Sequence, residues 1–188
     1  MKMIHLSDLH IGKRLCDCSL IEDQEFILNS IIEIIKNESP DAVIIAGDVY
    51  DKPVPTAEAI RLLDNFIVSL SQMKLHTFII SGNHDSPERL SFGSRIMSAG
   101  GIHISSVYNG ETHPITLYDD HGEVNFYLLP FIKPPLVRRF FDTEITDYNS
   151  AVHAAVDKMN VDISKRNVIV THQFVTGSIC DSEEISVG

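Results

Sequence analysis

Short, almost wholly apolar runs set between stretches of helical periodicity decide what this chain can fold into. Residues 43–46, 77–81, 124–129 and 168–171 carry apolar side chains at most positions. A strand with one wet face alternates instead, so these runs read as strands buried on both faces. Residues 3–7, 102–105 and 115–118 are further β-type runs. A first helix is expected over 22–37, with Ile27, Ile31, Ile34 and Ile35 on one face and Pro40 at its exit. A second follows Pro55, capped by Thr56, with Ile60, Leu63, Ile67 and Leu70 along one side. Ser86-Pro87-Glu88 reads as the start of a third, which Gly100-Gly101 ends. A fourth spans 149–159 and turns Val152, Ala155, Val156 and Met159 inward, while 131–146 reads as a long connecting loop. Strands and helices alternate first and strands dominate later. That order predicts one α/β layered domain with helices outside central sheets.

Composition narrows the function classes. With 188 residues and 44% apolar content the chain supports a full-sized core. No apolar run approaches the roughly 18 residues of a membrane span. Met1 leads straight into a strand-like segment without an export signal, so a cytoplasmic protein with no membrane association is expected. Cys16, Cys18 and Cys180 form no framework of pairs, and no second Cys or His pair completes a zinc site around the first two. Fifteen basic against 26 acidic residues give a net charge of -11. That opposes nucleic-acid binding unless carboxylates take up divalent cations or a partner supplies basic surface.

Four polar clusters follow predicted strands: Asp8-Leu9-His10, Gly47-Asp48, Gly82-Asn83-His84-Asp85 and Thr171-His172. Ligands of open α/β sheets bind outside the carboxyl ends of strands, so the clusters should converge on one edge. Carboxylate, imidazole and amide oxygen suit hard or borderline divalent ions such as manganese, iron or zinc. Asp8 and His10 are expected on one ion, Asn83 and His172 on a second, and Asp48 between the two. His84 is expected beside the ions, acting on the departing oxygen and oriented by Asp85. Each motif alone is common; their order, each behind a strand, is not.

Taken together, Asp-x-His, Gly-Asp, Gly-Asn-His-Asp and a later His resemble the calcineurin-like metallophosphoesterase superfamily. Residues 7–15, 47–51 and 81–86 are similar to its SbcD-type nucleases. The resemblance implies two central mixed β-sheets flanked by α-helices, two manganese ions and hydrolysis of DNA phosphodiesters in repair and recombination. It also implies an SbcC-type ATPase partner and a homodimer. By this resemblance Asp8, His10, Asp48, Asn83 and His172 fall on metal-ligand positions and His84 on the catalytic histidine. Lys13 and Arg14, just after the first cluster, are candidates for a DNA phosphate. The pattern's further Gly-His-x-His is not found after His172. Residues 1–188 are therefore expected to be an incomplete catalytic domain, without capping and ATPase-binding regions and with weakened metal sites. Two alternatives remain. One is a related enzyme acting on nucleotides or phosphoproteins, which the absence of arginine from Asp48-Val49-Tyr50-Asp51-Lys52 disfavours. The other is a non-catalytic dimerisation module, which the retained Asp48, Asn83 and His84 disfavour.

Overall fold

Nine strands and six helices account for most of residues 1–105 and 107–174, which the computed structural model describes. Cys180 lies outside the described residues. In chain order the elements are β1 (Met3–Leu6), β2 (Arg14–Leu15), β3 (Cys18–Ser19), α1 (Ile21–Glu38), β4 (Ala42–Ala46), α2 (Ala57–Gln72), β5 (His76–Ile80), α3 (Pro87–Leu90) and α4 (Ser94–Met97). After a 3-10 turn at Ser98–Gly100 come β6 (Ile102–Ile104), β7 (Ile115–Asp119), β8 (Gly122–Leu129), α5 (Pro134–Val137), α6 (Tyr148–Lys158) and β9 (Arg166–Thr171).

The first sheet has the order β1-β4-β5-β6 and is parallel throughout. The second, β7-β8-β9, is mixed: β8 runs antiparallel to β7 and parallel to β9. The α/β layering is the expected one, but only the second sheet is mixed. Successive strand residues face opposite sides, and β4 shows the result. Val43 and Ile45 pack with Leu28, Ile32 and Ile35 of α1 and Leu63, Phe66 and Leu70 of α2. Ala42, Ile44 and Ala46 face the second sheet, where Phe78 meets Phe126, Leu128 and Val170. The other face of β8, through Tyr127 and Leu129, packs on α5 and α6. The layers therefore run helix, sheet, sheet, helix. β4 and β8 are apolar at nearly every position because both faces are covered.

Three local expectations fail. Ile27 and Ile34 of α1 are 53% and 54% exposed. The buried stripe is Leu28, Ile32 and Ile35, because four isoleucines within Ile31–Ile35 leave the phase of the helix ambiguous. The helix expected after Ser86 breaks into α3, α4 and the 3-10 turn, because Gly93 sits at φ +75° and interrupts the right-handed backbone. The loop expected over 131–146 contains the single turn α5. No helix among the described residues is long and apolar enough to cross a membrane.

Candidate metal centre

Parallel neighbours in the first sheet bring the exits of β1, β4 and β5 side by side. Asp8 stands two residues past β1, Asp48 two past β4 and Asn83 three past β5. The second sheet contributes His172, immediately after β9. Its ring crosses to the first sheet, with Nδ1 2.8 Å from the carbonyl oxygen of Ala46 and Nε2 3.2 Å from Asn83 Oδ1. The five residues expected to hold metal are thus brought to one edge.

Two donor groups form there, His10–Asp48–His84 and Asp8–Asp48–His172, each with ligand atoms within 4.8 Å of one another. Asp48 belongs to both and is 3% exposed. Its Oδ2 lies 3.5 Å from His172 Nε2, 3.8 Å from His10 Nε2 and 3.9 Å from His84 Nε2. His10 Nε2 is also 3.8 Å from Asp8 Oδ1. His84 therefore comes within reach of an ion as well as of a substrate, and its ring meets that of His10 edge-on at 5.0 Å. Burial alone would raise the Asp48 pKa. The His172 ring and the His84 backbone amide outweigh it and hold the carboxyl below its usual range. His172 is the reciprocal case. Burial disfavours its charge, but Asp48, the Ala46 carbonyl and Asp8 lift its pKa to about 9.

The backbone is bent to make this meeting possible. Asp8, His10 and Asp48 all sit at positive φ, 56°, 42° and 46°. Such conformations cost side-chain-bearing residues energy and gather at functional sites. The glycines of the motifs serve close approach. A Cβ on Gly47, at φ +88°, would lie 2.5 Å from the His172 ring, and one on Gly82 would strike the Asp48 carboxylate.

Asp85 does not orient His84. Its Oδ2 accepts hydrogen bonds from the backbone N–H of Val49 (3.0 Å) and Gly82 (2.9 Å), and its Oδ1 accepts from Tyr50 (2.9 Å). Burial, with Asp48 close by, pushes its pKa up against those donors. It ties the loops after β4 and β5 together. His84 Nδ1 instead lies 3.3 Å from the carbonyl oxygen of Asp51. Two further residues escaped the sequence reading. Gln24 of α1 donates to the carbonyls of Leu9 and His10 and accepts from Gly12 N–H, pinning the first loop. Ser7 Oγ rests against Asp8 Oδ2 and 3.0 Å from Ala46 O. Neither Gln24 nor Asp51 belongs to a recurring short motif; only spatial proximity reveals them.

The sequence profile of the calcineurin-like phosphoesterase family matches residues 1–181. The chain belongs to the calcineurin-like phosphoesterases. Among curated relatives, it is 38% identical to the SbcD component of the SbcCD nuclease of Staphylococcus saprophyticus, over 98% of this chain and 49% of that protein. It is 35% identical to the protein of the same name from Staphylococcus epidermidis, over the same shares. The chain thus spans about half the length of the curated relatives it matches.

As in a metal-using phosphoesterase, the donors here are carboxylate, imidazole and amide oxygen, a set that suits divalent cations. The two groups sharing Asp48 fit a pair of such ions. The candidate phosphate contacts are placed less directly. Lys13 and Arg14 are exposed where the β2–β3 hairpin begins, and the Arg14 guanidinium folds back onto the carbonyl of Asp17. Arg138, a further basic side chain, is occupied by the carbonyls of Ile145 and Thr146.

Proposed function

We propose that this phosphoesterase chain is the metal-binding catalytic part of an SbcD-type, metal-dependent DNA nuclease. It hydrolyses phosphodiester bonds by a two-metal mechanism, with manganese as the ion. The observation that carries the reading is Asp48, buried and common to both donor groups. Asp8, His10, Asn83 and His172 complete the proposed ligand set. A pair of divalent ions, when bound, supplies Lewis acidity to the phosphate and lowers the pKa of a water.

The remaining chemistry belongs to the chain. Asp48 counters the ions' charge from below. Asn83 and His172 fix the second position from across the two sheets. His84 is the most open of the group, with a 44% exposed side chain. Its Nδ1 is turned to the Asp51 carbonyl. That leaves Nε2 to exchange a proton with the departing oxygen, the task of a general acid. Lys13 and Arg14 stand ready for a neighbouring phosphate.

DNA as substrate, a role in repair and recombination, and an SbcC-type ATPase partner follow from the names of the relatives. A net charge of -11 supports a partner that supplies the basic surface. The proposed protein is cytoplasmic and dimerises with its own copy. The deciding assay uses a protein extended to the length of its relatives. It offers linear DNA, bis(p-nitrophenyl) phosphate and a phosphopeptide with manganese. Cleavage of DNA that chelation abolishes is the expected result. Turnover of the phosphopeptide with DNA left intact would overturn the reading.

A further inference from the structure

We infer that Asp51 positions both histidines of the His10–Asp48–His84 group, using a different atom for each. The inference rests on the proposed roles of His10 as a metal ligand and His84 as the catalytic histidine.

Asp51 is held in place by its backbone. Its N–H donates to the carbonyl of Ile11 at 3.2 Å, and Ile11 N–H donates to the carbonyl of Val49 at 2.9 Å. A parallel bridge between Ile11 and Tyr50 locks the loop after β4 onto the loop after β1. From this fixed point the Asp51 carboxylate faces His10, with Oδ1 3.8 Å from Nδ1. At that distance the contact is electrostatic rather than a formed hydrogen bond. His10 Nδ1 is nevertheless buried and has no other partner among the described residues. An imidazole carries its two nitrogens on different edges of the ring. With Nδ1 toward Asp51, Nε2 is aimed at Asp8 and Asp48, each 3.8 Å away. A carboxylate behind a metal-binding histidine fixes its tautomer and makes the other nitrogen a better donor. The main-chain carbonyl of the same residue meets His84 Nδ1 at 3.3 Å. Asp85 is not free for either task, since its oxygens are taken by three backbone amides.

The two tasks separate on substitution. Asp51→Asn and Asp51→Ala remove the carboxylate and keep the carbonyl, so His10 loses its support while His84 retains its own. In a protein extended to the length of its relatives, calorimetric titration with manganese should then show one site weakened roughly 10- to 100-fold. The other site should change little. The thermal unfolding midpoint without metal should stay near that of the parent. Cleavage lost in Asp51→Asn should return at high manganese, whereas cleavage lost in His84→Ala should not. Unchanged manganese affinity at both sites in Asp51→Asn would overturn the inference and leave the functional reading standing. Lost stability that added manganese does not rescue would overturn it too, in favour of a merely structural role. A parent protein that binds no manganese would remove the functional reading and this inference together.

Discussion

His172 carries a proton that a metal ion must displace. Its pKa of about 9, against an ordinary 6.5, comes from Asp48, the Ala46 carbonyl and Asp8 overcoming burial. A raised histidine pKa adds stability that is complete below the unfolded value and fades as pH rises through the folded one. The metal-free chain should therefore lose stability between pH 6.5 and 9, measured by urea unfolding across that window. His172→Gln should flatten the dependence. Manganese affinity should run the other way, rising with pH over the same range as the competing proton leaves. At His84 the expectation is different. His84→Ala should keep manganese binding and lower cleavage about 10²- to 10⁴-fold, the usual contribution of a general acid. Loss of metal binding in that variant would reassign His84 as a ligand. The chemistry-bearing residues were legible in the sequence because their types and spacings are unusual together. Asp51 and Gln24 were not, because their partners are brought to them only by folding. Asp85 was misread for the same reason: adjacency to His84 suggested a partnership, while its carboxylate points to amides of a different loop.

Among the elements, the loops at strand exits bear the strain. Gly47 lies where β4 leaves its sheet, at φ +88° and under the His172 ring. Gly47→Ala should cost about 1–3 kcal/mol for the backbone conformation. At roughly 2–4 °C per kcal/mol for a chain of this size, the unfolding midpoint should fall by several degrees. Manganese binding should weaken with it, because the added methyl displaces His172. Asp85→Ala should destabilise through hydrogen bonding instead. It leaves three buried amides, of Val49, Tyr50 and Gly82, without their acceptor. Each such loss costs about 1–3 kcal/mol. Strand positions were readable from their apolar runs, and α2 was readable from Thr56, whose side chain caps it as expected. The phase of α1 was not, since Ile27, Ile31, Ile34 and Ile35 crowd more arc than one buried stripe can hold. The β2–β3 hairpin was invisible because its strands are two residues each and exposed.

At the scale of the whole molecule, the site exists because two sheets meet face to face. Phe78 of the first sheet stacks on Phe126 of the second at 4.3 Å, inside the layer that sets β9 against β4. Phe126→Ala should destabilise by about 3–5 kcal/mol. It should also weaken manganese binding from a distance, because His172 rides on the second sheet while Asp8, Asp48 and Asn83 ride on the first. Thermal unfolding and calorimetry on the same sample check both effects. The layered α/β plan was legible from the order of elements. The division into one parallel and one mixed sheet was not, since the direction of β7 against β8 depends on a tight Asp120-His121 turn rather than on strand composition. The central claim is that Asp48 is shared by two ions. Anomalous scattering from a manganese-soaked crystal tests it most directly. Two peaks, both within bonding distance of Asp48 carboxylate oxygens, are predicted; manganese peaks that leave Asp48 uncoordinated would contradict it.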